Sequence, residues 1–524
     1  MRQSVRELVG QSLMLSFDGC HATTELLNAL AETRANGVIL FARNIGSPHE
    51  LWELNRALQS HAAAIGSPPL LISIDQEGGI VSRLPAPFTT MPSQMAQAAT
   101  GDPEIAYRCA FLTGRQLRAS GINTNFAPVL DVNNNPANPV IGTRSFGADP
   151  GLVAMFGLAA LRGYADAGVI ATAKHFPGHG DTEVDSHLGL PRVAHGRSRL
   201  DQVELAPFVA AFAADTPAVM TAHIIFSALD DVPATLSRRI LTDLLRHELG
   251  YNGVVFTDAL TMQAIAALYG PAEAALRSKL AGADVLLPLG MLDDQIAVAR
   301  ALCSAVEDGT VPRTMFEATA DRLARLRAKY SVQYALPPFA APDPAVYAEA
   351  LDIARRSITM VHNRALLPLA PATRLVLIDC LLPRFSLVEE ALAQAATFQA
   401  LVAETFSELT TLVIGPEPSD EEIAQAVGLL RRGDVAMFVS RNATHIPRQL
   451  DLARALCAAG KPVIHVAARS PYDAGLVVDA AAALVTYGDS EVSLSALVEV
   501  LAGQTLPRGQ APVELPFASS GKDT

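Results

Sequence analysis

Fourteen residues, Lys174 to His187 (KHFPGHGDTEVDSH), hold three of the chain's twelve histidines and two aspartates. The PGHG within them forces tight turns, so the stretch reads as a loop. Asp185 and His187 stand two apart, a spacing that in irregular chain lets a carboxylate reach and orient the neighbouring imidazole. A histidine held in that way is a general acid and base tuned near neutral pH. A metal site is the other chemical option, with His175, His179, His187 and the nearby aspartates as ligands. His175 and His179 lie at i and i+4, but the intervening FPG breaks the helix that would put them on one face, and neither HExxH nor an HxH on a strand occurs. No metal is therefore expected. A plain polar loop, whose histidines only hydrogen-bond backbone, is the structural alternative.

Other ionisable residues stand where apolar runs stop. Asp75 closes LLISID, Asp131 closes TNFAPVLD, Lys174 and His175 end VIATAKH, His223 follows VMTA, and Asp258 sits in GVVFTDA. A carboxylate placed after four apolar residues pays a desolvation cost unless it is partnered, so it is either capped or functional. Taken singly, each of these residues reads as a helix cap or a loop charge. Five strand ends of this kind exceed what a solvated rim needs.

The elements that must position them are legible as apolar runs: LMLSF (13 to 17), GVILF (37 to 41), LLISID (70 to 75), TNFAPVLD (124 to 131), VIATAKHF (169 to 176), AVMTAHII (218 to 225), GVVFTDA (253 to 259) and ADVLLP (283 to 288). Between most of them lie helix-like stretches such as TTELLNALAETRANG, PEIAYRCAFLTGRQLRASG and SRRILTDLLRHELG, the last closed by a glycine stop. Strands apolar on both faces that alternate with helices form parallel sheets. Eight such units predict a TIM-like (β/α)8 barrel, with its site at the carboxyl ends of the strands. A doubly wound open sheet is the alternative. The segment ALPPFAAPDPAV (335 to 346) reads as a linker, which gives a barrel over 1 to 334 and a smaller C-terminal α/β layered domain over 347 to 524. In that second domain RLVLID, TLVIG, VAMFVS, KPVIHVA and AALVTYG alternate with DEEIAQAVGLLRRG and LDLARALCAAG. No GxGxxG or GxxxxGK[ST] occurs, so a nucleotide cofactor has no support.

Composition narrows the partners. A chain of 524 residues, half of them hydrophobic, can bury two large cores. Lys plus Arg is 40 against 53 for Asp plus Glu, a net charge of -13 with no long basic tract, which argues against nucleic acid. Five widely spaced cysteines (Cys20, Cys109, Cys303, Cys380 and Cys457) with no CxxC fit a reducing compartment. The start MRQSVRELVGQSLMLSFDG lacks the apolar core of a signal peptide, and no run has the length of a membrane span. A cytoplasmic location away from membranes is expected.

These stretches also resemble a known family. KHFPGHGDTEVDSHLGLP and LLRHELGYNGVVFTDALT (244 to 261) closely resemble the two diagnostic stretches of glycoside hydrolase family 3, and the DSH form is similar to its bacterial β-N-acetylglucosaminidase branch. Matching pieces continue in order through GVILFARNI (37 to 45), IDQEGGIVSRL (74 to 84), NFAPVLDVN (125 to 133), NPVIGTRSFG (138 to 147) and VMTAHIIFSALD (219 to 230). In the second domain only the borders are similar, at ARRSITMVHNRALLPL (354 to 369) and LAGQTLPRGQAPVELP (501 to 516).

The resemblance implies that Asp258 is the nucleophile of a retaining hydrolase that forms a covalent glycosyl-enzyme. It makes His187, oriented by Asp185 on a loop that moves, first the acid and then the base. It places Asp75, Arg83, Arg144, Lys174 and His175 around a terminal β-linked N-acetylglucosamine, with Asp131 and His223 supporting them from behind. The implied substrate is a small carbohydrate or muropeptide from peptidoglycan, and no cofactor is needed. Ile80, where this branch often carries arginine, and Ala259, where a second aspartate is common, depart from the pattern and bear on what is bound beyond the terminal sugar. Two alternatives stay open. Phosphate could replace water as acceptor, since a histidine acid/base repels it less than a carboxylate would. The chain could also be a non-catalytic sugar-binding protein. Oligomeric state has no sequence signal.

Overall fold

In the computed structural model, which describes residues 3–390 and 395–516, eight parallel strands run Met14–Leu15, Gly37–Leu40, Leu71–Ile74, Thr124–Asn125, Ile170–Phe176, Ala218–Thr221, Val254–Ala259 and Val285–Leu287. Each pairs with its neighbour in chain order. A bridge between Leu13 and Leu286, with the Leu286 N–H donating to the Ser12 carbonyl at 2.9 Å, joins the last strand to the first. The sheet is thus the closed barrel and not the open doubly wound sheet.

All eight predicted runs form strands, several of them shorter than expected. TNFAPVLD pairs as a strand only at Thr124–Asn125, because Pro128 offers no N–H to the ladder. AVMTAHII leaves the barrel after Thr221, and Ile225–Phe226 pairs instead with Arg192–Val193, tying the loop after the fifth strand to the loop after the sixth. The predicted helix SRRILTDLLRHELG forms over Arg239–Glu248 but is wound as a π-helix, and the chain turns at Gly250 with φ +67°.

Period-two alternation explains how the barrel fills. Val38, Leu40, Ile72, Ile74, Val219 and Val255 face outward into the layer of helices. Their neighbours Ile39, Leu71, Met220, Val254, Phe256 and Leu287 pack with one another inside the barrel. Phe126 and Phe256 meet edge to face across the interior, with ring centroids 5.3 Å apart.

No helix or strand interrupts 335–344, between the helices Arg313–Lys329 and Ala345–Ser357. A six-stranded sheet follows, in the order Thr359–Asn363, Ala482–Val485, Val463–Ala467, Val435–Ser440, Leu375–Cys380 and Leu409–Ile414, parallel except for its first member. The last described segment returns to the barrel, where the Gln510 N–H donates to the Ala99 carbonyl at 2.8 Å. Among the described residues no helix is long and apolar enough to cross a membrane. All five cysteines are free.

The carboxyl edge of this second sheet buries a chain of charges. Arg441, fully buried, pairs with Asp379 and with Asp489 at 2.8 Å. Arg469 joins Asp489 to Glu389, at 2.9 Å each. Removing one partner of such a set leaves an uncompensated charge in a dry interior. Arg441→Met is therefore expected to cost about 3–5 kcal/mol, read as a lower urea midpoint by circular dichroism. A midpoint unchanged from wild type would show that the charges are relieved by water.

Candidate active site

The inward series of three barrel strands end in ionisable groups: Leu71, Ser73 and Asp75; Ile170, Thr172 and Lys174; Val254, Phe256 and Asp258. They open into a cavity of about 600 Å³ that Arg83, Arg144, His175 and His187 also line. Seven of the eight residues that the resemblance makes catalytic or sugar-contacting thus border one space. The eighth, Asp185, stands behind His187.

Glu77, which the sequence reading passes over, ties the floor together. Its carboxylate, 1% exposed, accepts from Nε and Nη2 of Arg144 at 2.9 Å each and lies 2.6 Å from Lys174 Nζ. Lys174 also donates to Asp75 Oδ1 at 2.7 Å. Burial alone would raise the Glu77 pKa, but the two cations outweigh it and hold the carboxyl far below the usual range. Burial likewise works against the charged form of Lys174, yet Asp75 and Glu77 keep its ammonium above the ordinary value. The available signal for Glu77 was an acid two residues beyond Asp75 in the same DQEGG turn.

Asp131 organises the histidines behind this floor. Its Oδ2 accepts from His175 Nδ1 at 2.7 Å, and its Oδ1 accepts from the His175 and His179 backbone N–H groups at 3.1 and 2.7 Å. Burial would raise the Asp131 carboxyl, but the His175 imidazole and these donors hold it below the usual value. With Nδ1–H given to Asp131, His175 Nε2 faces Arg144 Nη2 at 3.4 Å as an acceptor. Burial pushes His179 down to about 4, so it is neutral, with its ring nitrogens 2.9 Å from the Thr182 hydroxyl and 3.0 Å from the Ser186 hydroxyl. Each imidazole of the opening loop has its own partner. Among the described residues no group of three such side chains could hold a metal.

Asp258 receives the Ala259 N–H on Oδ1 at 2.7 Å. Burial would raise this carboxyl, but the imidazoles of His223, His175 and His187, together with that N–H, hold it below the usual range, so it is ionised at neutral pH. His223, which burial keeps below its ordinary value, donates from Nε2 to the Ala259 carbonyl at 2.9 Å and meets the Thr235 hydroxyl at Nδ1, 2.8 Å away. The Ala259 backbone is therefore clamped on both sides, which fixes where Asp258 points.

Across the cavity, Asp185 Oδ1 accepts from His187 Nδ1 at 2.7 Å and from the His187 N–H at 2.9 Å. Burial opposes the Asp185 charge, but these bonds to His187 outweigh it and lower the carboxyl. With Nδ1 committed, Nε2 is the nitrogen free to exchange a proton. The loop is docked: His179 meets Ser186, and the Ala264 N–H donates to the Ser186 carbonyl at 3.3 Å.

The second domain closes the remaining side with Arg384, Leu387, Val388, Glu389 and Glu390. Arg83 Nη1 donates to the Val388 carbonyl at 2.7 Å and to Glu390 Oε1 at 3.0 Å. Its buried Nε has no protein partner among the described residues. Ile80 packs with Val81, Val140, Ile141 and Val388 at this junction, so the position where arginine was expected is an apolar domain contact here.

A model of the glycosyl hydrolase family 3 N-terminal domain matches residues 4–326. Beta-hexosaminidase A of Pseudoalteromonas piscicida is 37% identical over 413 residues, 71% of this chain and 69% of that protein. A solved glycoside hydrolase family 3 beta-N-acetylglucosaminidase from Paenibacillus sp. str. FPU-7 is 38% identical with a TM-score of 0.93, over 99% of this chain and 100% of that one. The beta-glucoside phosphorylase BglX shares the fold, at a TM-score of 0.82 and 23% identity over 98% of this chain and 94% of that one.

The depressed Asp131 carboxyl has a consequence for stability. A carboxyl lowered by folding stabilises the fold above its unfolded value, near 3.8, and loses that contribution as pH falls through the lower folded value. Asp131→Asn is expected to cost about 2–4 kcal/mol at pH 7, and its deficit in urea midpoint should shrink as pH drops below about 4. A deficit that stays constant down to that range would mean that Asp131 contributes shape and not charge.

Proposed function

The chain belongs to glycosyl hydrolase family 3, and on that premise we propose that it is a retaining exo-β-N-acetylglucosaminidase that removes terminal β-linked N-acetylglucosamine by double displacement. The observation that carries this reading is the opening of an ionised Asp258 and the Nε2 of a carboxylate-oriented His187 into one cavity. The names of the related beta-hexosaminidase and beta-N-acetylglucosaminidase support the choice of sugar.

In the first step an Asp258 carboxylate oxygen bonds the anomeric carbon while the bond from that carbon to the leaving oxygen breaks. The His187 imidazolium gives its Nε2 proton to that oxygen. In the second step neutral Nε2 takes a proton from water, the water oxygen bonds the anomeric carbon, and the ester bond to Asp258 breaks. Two inversions give retention. Asp185 stays ionised throughout and orients the ring.

Around the sugar, Asp75 supplies an acceptor for hydroxyl groups and Lys174 a donor, while Arg83, held by the Val388 carbonyl and Glu390, shapes the wall of the cavity. Arg144 acts mainly through its neighbours, because Glu77 and the Val140 carbonyl take its nitrogens. Muropeptides from peptidoglycan fit the proposal as substrates, and free cysteines fit a cytoplasmic setting.

Asp258→Ala should lose activity on 4-nitrophenyl β-N-acetylglucosaminide by about 10⁴-fold or more with its circular dichroism unchanged. Wild type should cleave that glycoside and spare the β-glucoside. Full activity in Asp258→Ala would sink the covalent step. The same assay run with and without phosphate assigns the acceptor, since release of a sugar 1-phosphate would replace water in the second step.

A further inference from the structure

The Asp185 carboxylate is engaged from both domains. Its side chain is 4% exposed, with Oδ1 occupied by His187, while Oδ2 accepts the hydroxyl of Ser386 at 3.1 Å. Ser386 lies in the loop that leaves the strand Leu375–Cys380 of the second sheet. A buried carboxylate oxygen without a donor carries a desolvation cost, and the barrel's own bonds to Asp185 all go to the other oxygen.

Ser386 is itself held. Its carbonyl accepts from Arg384 Nε at 3.0 Å and from the Glu389 N–H at 3.2 Å, and its Oγ accepts from the Val388 N–H at 3.3 Å. Glu389 accepts from the Phe385 N–H at 3.1 Å and pairs with Arg469 at 2.9 Å, which fastens the loop to the buried charges of its own sheet. Two residues further along, the same loop grips Arg83 through the Val388 carbonyl and Glu390. The hydroxyl that reaches Asp185 is therefore the tip of a braced structure.

We propose that Ser386 is a positioning residue for proton transfer: by holding Asp185 Oδ2 it keeps Oδ1 on His187 Nδ1 and so aims Nε2 at the leaving oxygen, which makes the second domain part of the acid/base machinery. The inference rests on His187 being the proton donor. Without the hydroxyl, the carboxylate is free to rotate about its terminal torsion, and the imidazole turns with it.

Leaving groups separate this role from a merely structural one. A dinitrophenolate departs without a proton, whereas the sugar alkoxide released from N,N′-diacetylchitobiose needs one. In Ser386→Ala, kcat/KM for the disaccharide should fall about 5- to 10-fold, somewhat less than the full worth of one hydrogen bond to a charged group, because the hydroxyl acts on the proton only through Asp185 and His187. For the 2,4-dinitrophenyl β-N-acetylglucosaminide it should change less than about 2-fold, and Ser386→Thr should restore the disaccharide rate. Equal losses on both substrates would show that Ser386 only docks the domains, and no loss on either would show that it does nothing for proton transfer; either result overturns the proposal. His187→Ala, run in parallel, must show a larger split in the same direction. If it shows none, the acid assignment fails; a split in His187→Ala without one in Ser386→Ala leaves the acid assignment standing and rejects Ser386 alone.

Discussion

A carboxylate denied water is the constraint on which the barrel mouth depends. Glu77 is almost wholly buried, so its charge persists only because Arg144 and Lys174 converge on it. Those partners come from different places: Glu77 from the turn after the third strand, Arg144 from the loop before the helix Pro150–Asp166, and Lys174 from the fifth strand. One desolvated charge thus sets the spacing of three barrel segments. Its effects propagate outward. Lys174 must stay charged and so brings its ammonium to Asp75. Arg144 offers only donors to His175 Nε2, which makes that nitrogen an acceptor and agrees with Nδ1–H being directed at Asp131.

The second domain solves the same physical problem and uses the solution to reach across. Asp379, Arg441, Asp489, Arg469 and Glu389 form an alternating line of buried charges, each partnered on the way. Buried ion pairs of this kind are weak arguments for stability, but they hold side chains in one arrangement. The line ends at the loop that carries Ser386, Val388 and Glu390, and these touch Asp185 and Arg83 of the barrel. Two networks, each required by desolvation within its own domain, therefore meet at the cavity.

The legible part of this architecture is the part that repeats locally. Eight runs apolar on both faces and alternating with helices foretell the barrel, and ionisable residues at the carboxyl ends of those runs, as at Asp75, Lys174 and Asp258, mark the candidate site. Strand ends were less legible, because Pro128 and the ribbon pairing of Ile225–Phe226 depend on particular hydrogen bonds and not on hydropathy. Ser386 and Glu390 carried no local signal, since their meaning comes from contacts with Asp185 and Arg83, remote in sequence. Residue types alone also mislead. Ser440, His465 and Asp473 form a hydrogen-bonded cluster of serine, histidine and aspartate, yet all are fully buried and the serine lies between the other two. In a nucleophilic triad the histidine would stand in the middle.

On the proposed reading, an imidazole acid beside a carboxylate nucleophile changes what the fold must provide. Two carboxyl groups at close range raise each other's pKa, and the fold must then separate their environments so that one stays ionised and the other protonated. An imidazole is neutral when it has given up its proton and cationic when it holds one, so it never sets a second negative charge against Asp258. The lowered Asp258 carboxyl agrees with this. The demand moves from pKa to direction. One ring nitrogen must be fixed to a carboxylate so that the other faces the cavity, and a carboxylate can do this only if it is itself unable to turn. Asp185, nearly sealed from solvent and hydrogen-bonded through both oxygens by two different domains, meets that demand.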